Sequence, residues 1–213
     1  MSDLGRLFRL PSTPDVEPME NFTTVALAIA IGHDDRPMKQ ALRAVDWQYE
    51  GPDGRPARAM FDVAAADIVS VTAETQRTLW SVDGIPLGYL DLVLHVLDAQ
   101  QHQSAIWVEV KVDAFESGDQ LANYRNHAAR QSPSPAIITL GRSRVSPCWP
   151  ALKWSDIKGA IDSVPDPHHA WVSLREFLLD EKIVRPSVPT EPITDASAFI
   201  DVIVDVNRRV RDL

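Results

Sequence analysis

The sequence is poor in the residues that cross-link or anchor a chain. Cys148 is the one cysteine, so the chain can form no internal disulfide and no cysteine-based zinc site. No apolar run approaches the roughly 18 residues that cross a bilayer, and Met1–Leu10 has no long apolar stretch of the kind that directs export. We therefore expect a cytoplasmic protein with no membrane partner.

The chain also lacks an excess of basic residues. Lys and Arg number 21 against 30 Asp and Glu, which gives a formal net charge of −9 at pH 7. Proteins that coat nucleic acid carry a basic footprint, because phosphate contacts supply most of their non-specific affinity. The charge argues against a protein of that kind, but it allows a small basic patch or a group of acids gathered around a cation.

The apolar content is sufficient for one folded domain. The 213 residues are 45% hydrophobic and 24% charged and include six tryptophans, which is typical of folded soluble proteins. A chain of this length can enclose a core without a disulfide or a metal. We divide it into an extended lead-in (1–19), one domain (20–184), and a Pro-rich linker with an amphipathic helix (185–213).

The hydrophobic period changes from helical to strand-like and back along the domain. Helical spacing predicts helices over 20–31, 38–45, 117–130, 154–161 and 170–182. Alternation predicts strands over 67–72, 88–97, 105–112 and 136–140, and the Gly/Pro-rich segment Glu50–Pro56 predicts a loop. This order predicts an α/β fold with helices around a mixed sheet.

Two neighbouring predicted strands carry acids. Alternation places Glu109 and Lys111 on one face of their strand, opposite a wholly apolar face. Asp91 lies in the middle of the preceding strand, although Asp is disfavoured there. The short polar segment 98–104 predicts an antiparallel hairpin, which would bring Asp91, Glu109 and Lys111 to one patch of the sheet.

Two carboxylates beside a lysine have a definite chemical use. Carboxylate oxygens and water are suitable ligands for Mg²⁺, which can neutralise a phosphodiester and lower the pKa of a bound water. The lysine can position that water or stabilise developing negative charge. The alternative interpretation is an ordinary solvated strand face, on which Glu and Lys carry no function.

These residues resemble the motif of the PD-(D/E)XK nucleases. Asp91, then Glu109-Val110-Lys111, an acidic loop and Gln120-Leu121-Ala122-Asn123-Tyr124 are similar to the pattern of bacterial members. The segment Glu20-Asn21-Phe22-Thr23-Thr24 also resembles their first-helix motif. The resemblance covers about residues 20–184, and Leu90 stands where the motif has its proline. It implies a restriction-endonuclease-like core, ordered α-β-β-β-α-β, with extra C-terminal helices.

The resemblance also implies a role for each motif residue. Asp91 and Glu109 would hold Mg²⁺, or Mn²⁺ in its place, with the carbonyl of Val110 and with Glu20 directly or through water. Lys111 would be the catalytic lysine, and Gln120 would face the scissile phosphate or orient the site. The implied activity is phosphodiester hydrolysis in nucleic acid, with DNA as the expected substrate and phage defence or DNA processing as the setting. We interpret Tyr124, one helical turn beyond Gln120, mostly as a packing residue.

Other polar residues admit both a functional and an ordinary reading. Four arginines are candidate phosphate contacts or ordinary surface charge, namely Arg125, Arg130, Arg142 and Arg144. His95 shares the face of Asp91 and could act near it. We interpret His168-His169 as a solvated turn rather than a metal pair.

Two other functions stay open at this stage. A catalytically silent nucleic-acid-binding or protein-interaction module on the same scaffold would suit the net charge of −9. The apolar stripe of the last helix, at 196–213, could then join a second copy of the chain or a partner protein. An unrelated α/β domain would instead place Asp91 and Glu109 apart.

Overall fold

The computed structural model describes residues 18–50, 56–58, 67–80, 83–84, 86–112, 118–131, 134–143 and 148–185. The predicted lead-in before Pro18 and the predicted last helix lie outside these residues. So do Arg144 and the side chain of Gln120.

Five helices and seven strands make up the described part of the domain. The helices are α1 (Pro18–His33), α2 (Arg36–Leu42), α3 (Gly118–Ala128), α4 (Trp154–Ser163) and α5 (His169–Asp180). The strands are β1 (Gln48–Glu50), β2 (Pro56–Arg58), β3 (Ile68–Trp80), β4 (Pro86–Asp98), β5 (Gln103–Val110), β6 (Ala136–Gly141) and β7 (Ala151–Lys153). No helix in the described ranges is long and apolar enough to cross a membrane.

The main sheet has five strands in the order β3-β4-β5-β6-β7. Strands β3, β4 and β5 are antiparallel neighbours, whereas β6 runs parallel to β5 and β7 runs parallel to β6. A parallel neighbour needs a crossover, and α3 supplies it between β5 and β6. The predicted α/β fold with a mixed sheet flanked by helices is therefore confirmed.

The larger core lies on the face predicted to be apolar. Leu92 and Leu94 of β4 and Ile106 and Val108 of β5 are buried there among residues of α1, α2, α4 and α5. The three fully buried aromatic side chains of this cluster are Trp154, Trp171 and Phe177. These helices cover one face of the sheet. The first turn of α1 lies at the end of β5.

A smaller core covers part of the opposite face. Val93 and Trp107 pack there with Tyr124 and Ala128 of α3 and with Trp149. The predicted strand face that bears Glu109 is therefore not solvated, because α3 covers it. Glu109 is 1% exposed.

Three details of the sheet differ from the sequence prediction. Strand β3 extends to Trp80, well beyond the predicted end at Thr72. Residues Glu50 and Pro56, at the ends of the predicted loop, pair as the ends of the β1–β2 ribbon. Strand β7 was not predicted, because three residues are too few to show a period.

Asp34 joins the turn after α1 to the start of α5. Its carboxylate accepts hydrogen bonds from Nε and Nη2 of Arg36 at 2.8 and 2.9 Å and from the backbone N–H of His168 at 3.3 Å. The indole N–H of Trp171 donates to the Asp34 carbonyl at 2.6 Å. The hydrogen bonds from the Arg36 side chain outweigh burial and, with the backbone bonds, lower the pKa of Asp34 to about 2.

This carboxylate should make stability fall in acid. The folded state binds fewer protons than the unfolded chain between pH about 4, where a free Asp titrates, and about 2. The contribution of Asp34 is therefore complete above pH about 4 and is lost as pH falls through about 2. We expect Asp34→Asn to lose about 1–2 kcal/mol in urea unfolding at pH 6, since Arg36 is half-exposed. The difference from wild type should shrink towards zero near pH 2, and a difference independent of pH would contradict the assignment.

Candidate functional site

Asp91 lies in a fork where β4 leaves β5. The pairing of these strands runs from Leu97–Gln103 to Leu92–Val108 and ends there. At the next position the Asp91 Oδ2 atom accepts a hydrogen bond from the backbone N–H of Val110 at 2.9 Å. The side chain thus takes the place of a ladder bond, which offsets the disfavoured placement of Asp in a strand.

Glu109 and Lys111 stand at the end of β5 beside this fork. Lys111 Nζ lies 2.9 Å from Glu109 Oε1, and the lysine side chain is 13% exposed. The backbone of Lys111 is held on both sides: its N–H donates to the Leu140 carbonyl at 2.7 Å, and its carbonyl accepts from the Trp154 indole at 3.2 Å. The backbone that carries this ammonium is therefore fixed by β6 and by the first residue of α4.

Glu20 reaches the same place from the first turn of α1. Its Oε1 atom accepts a hydrogen bond from the Val112 N–H at 3.0 Å, and Oε2 lies 3.5 Å from Lys111 Nζ. The structure thus brings together Glu20, Asp91, Glu109 and Lys111, which are all candidate site residues of the sequence. The carbonyl of Val110 belongs to the residue between Glu109 and Lys111.

The electrostatics of this cluster follow from its burial. Burial and the charge of Asp91 raise the pKa of Glu109 to about 7, although Lys111 and a hydrogen bond with Tyr124 oppose the rise. Burial would lower the pKa of Lys111, but the charges of Glu109, Glu20 and Asp91 and the hydrogen bond to Glu109 raise it well above its ordinary value. The site therefore holds a permanent ammonium among three acids.

Tyr124 has a second role besides packing. Its ring packs edge-on against Trp107, with the centroids 6.4 Å apart, as a packing residue would. Its hydroxyl also donates to the Tyr89 carbonyl at 2.7 Å, and the interaction of Tyr124 with Glu109 opposes the rise of the Glu109 pKa. The interpretation of Tyr124 as a packing residue was therefore incomplete. The sequence feature that could have indicated a contact with the site is the position of Tyr124 one helical turn after Gln120.

The candidate phosphate contacts have different environments. Arg125 stacks over Trp149, with its guanidinium carbon 4.4 Å from the ring centroid, and Arg130 is exposed just after α3. Arg142 donates to the Val112 carbonyl at 2.9 Å and to the Lys182 carbonyl at 3.0 Å. It therefore links two parts of the backbone, and any phosphate would have to compete with those bonds.

His95 is remote from the acids. Its Nε2 atom lies 3.5 Å from Glu74 Oε2 on the exposed surface of β3 and β4. Four strand residues separate it from Asp91, which corresponds to about 13 Å. It does not join the cluster.

The donor chemistry of the cluster fits magnesium. Asp91, Glu109, Glu20 and the Val110 carbonyl offer oxygen atoms only, whereas zinc favours His and Cys ligands. In the described ranges, no three His, Cys, Asp or Glu side chains are grouped so that they could hold an ion by themselves. Mg²⁺ usually takes one or two carboxylates and keeps several waters, so Asp91 and Glu109 offer donors of the type and number that it takes.

No protein-family model, no curated protein and no solved structure matches the chain. The three acids and the lysine at the fork are therefore the features of the molecule from which a function can be inferred.

Proposed function

We propose that this protein is a divalent-metal-dependent nuclease that hydrolyses phosphodiester bonds of nucleic acid, with DNA as the expected substrate. The observation that carries the proposal is the convergence of Asp91, Glu109 and Lys111 at the fork between β4 and β5, with Glu20 beside them. The order of α1, β3, β4, β5, α3 and β6 supports a restriction-endonuclease-like core, which is part of the proposal.

The energetics of the cluster support a functional role. Glu109 is 1% exposed and lies next to a second carboxylate. Apolar residues at such positions are often neutral or stabilising compared with a buried ion pair. Stability alone therefore does not account for the burial of these charges, and a bound cation would relieve the repulsion between the acids.

Each residue has a proposed part in hydrolysis. Asp91, Glu109 and the Val110 carbonyl would hold Mg²⁺ or Mn²⁺, with Glu20 directly or through water. When bound, the ion supplies positive charge for the scissile phosphate and a water of lowered pKa. Lys111 is an ammonium close to this position, and it stabilises the negative charge that develops on the phosphate oxygens. Gln120 is proposed to orient the phosphate, and Arg125 and Arg130 to contact the flanking backbone.

The test is cleavage by the purified protein. We expect supercoiled plasmid or a labelled oligonucleotide to be cut in Mg²⁺ and in Mn²⁺, and to stay intact in EDTA. An RNA substrate of the same sequence tests the choice of DNA. Cleavage at the same rate in EDTA would reject the metal-dependent mechanism. Nucleic-acid binding with no cleavage in either metal would instead favour the catalytically silent module.

A further inference from the structure

The β3–β4 hairpin continues past the fork as a two-stranded arm, formed by 76–80 and 86–90. Strand β4 remains paired with β3 as far as Trp80–Pro86, whereas its pairing with β5 ends at Leu92. The arm bends at the level of Asp91, where the facing residue Gln76 has a φ of 53°. Leu90 packs in the smaller core although Leu92 packs in the larger one, which is consistent with this bend.

The two faces of the arm differ sharply. Leu79 and Leu90 are buried on one face against the smaller core. On the other face Trp80 is 54% exposed and Tyr89 is 61% exposed. Among the described residues these are the two large aromatic side chains with such exposure. Leaving them in water forgoes the stabilisation that burial of such large rings provides.

This exposed face is connected to the acids. Tyr89 precedes Asp91 by two residues on β4, which places the two residues about 7 Å apart at Cα. The Tyr89 carbonyl accepts a hydrogen bond from the Tyr124 hydroxyl, and Tyr124 also interacts with Glu109. Along the arm, Tyr89 and then the Trp80–Pro86 pair are therefore the next neighbours of a polymer that has one phosphate at the fork.

We propose that Trp80 and Tyr89 form a stacking platform for unpaired bases, so that the site takes single-stranded nucleic acid; this rests on the proposed nuclease function. Stacking of a base on an aromatic ring contributes about 1–3 kcal/mol and does not depend on sequence. A duplex hides its base faces and offers mainly phosphates. A protein with a net charge of −9 lacks the general basic footprint of proteins that coat a duplex, so stacking adds affinity that its net charge does not supply.

The test is binding of a fluorescent twelve-nucleotide oligo(dT) by anisotropy, in EDTA and in Ca²⁺, with a blunt duplex of equal length for comparison. We expect wild type to bind the single strand more tightly than the duplex. The double variant Trp80→Ala/Tyr89→Ala should weaken single-strand binding at least about tenfold. Trp80→Phe and Tyr89→Phe keep a ring and should stay within about threefold.

Two controls guard the interpretation. Val25→Ala and Ile29→Ala remove exposed apolar side chains of α1 and should leave binding unchanged. Light scattering reports whether the rings join two copies of the chain instead. The platform is overturned if the alanine variants bind oligo(dT) like wild type, if the duplex is bound equally well, or if the alanine substitutions convert a dimer into a monomer.

The outcomes for this platform and for the proposed function are separable. Ring-dependent binding of oligo(dT) with no cleavage in Mg²⁺ or Mn²⁺ would support the platform and reject the nuclease. Metal-dependent cleavage that is unchanged by the alanine substitutions, with unchanged binding, would support the nuclease and reject the platform.

Discussion

Lys111→Met is expected to reduce Mg²⁺-dependent cleavage by about a thousandfold or more. A thousandfold loss corresponds to about 4 kcal/mol of transition-state stabilisation, which is the range observed when a single preorganised charge or donor is removed from such a site. Lys111 is the ammonium at the fork, 2.9 Å from Glu109, and methionine keeps much of its volume. The measurement is the single-turnover cleavage rate of a labelled DNA at saturating Mg²⁺.

Lys158→Met is the matched control for this substitution. Lys158 is also mostly buried, with a side chain 11% exposed, and it forms an ion pair of 2.6 Å with Asp162 on α4. Its loss removes a lysine–carboxylate contact far along the chain from the fork, although Asp162 is 38% exposed and also pairs with Arg175. We expect Lys158→Met to cleave at a rate close to that of wild type, with both variants folded by circular dichroism. Equal activity of Lys111→Met and Lys158→Met would remove Lys111 from the mechanism.

Asp91→Asn is expected to abolish both cleavage and metal binding. The substitution keeps the side-chain carbonyl that can accept the Val110 N–H but removes one of the two carboxylates proposed to hold the ion. It also removes a negative charge beside Glu109, so the metal-free protein should be at least as stable as wild type. We expect Mn²⁺ to raise the melting temperature of wild type and to leave that of Asp91→Asn unchanged.

Glu74→Gln is the control for the loss of a carboxylate. Glu74 is half-exposed on β3, where it contacts Arg77 and His95 rather than the fork. The variant should retain the stabilisation by Mn²⁺ and the cleavage rate of wild type. If Mn²⁺ stabilises Asp91→Asn as much as wild type, the ion binds elsewhere and the assignment of Asp91 is wrong.

The strand period was sufficient to predict that Asp91 and Glu109 would lie on one patch with Lys111. Alternation and one short hairpin placed Asp91, Glu109 and Lys111 on a single patch, and the structure shows them there. The position of Glu20 could not follow from alternation, because 91 residues separate it from Lys111. Glu20 is a candidate because the first-helix segment resembles that of the nucleases. Its contact with Lys111 depends on how α1 packs across the sheet.

Other features depend on tertiary packing that leaves little trace in the sequence. The sequence allowed the face of β5 that bears Glu109 to be exposed to solvent, because the position of α3 over Trp107 was not predictable. The extension of β3 to Trp80 was missed because polar residues on an edge strand obscure the alternation. For the same reason, the arm with Trp80 and Tyr89 became visible only in the structure.

The most direct test of the central claim is anomalous diffraction from crystals soaked in Mn²⁺. The account predicts an anomalous difference peak in contact with carboxylate oxygens of both Asp91 and Glu109 and with the Val110 carbonyl. Lys111 Nζ should remain near the ion as a neighbour but not as a ligand. A fork without manganese at saturating concentration, with the Lys111–Glu109 ion pair intact, would contradict the account.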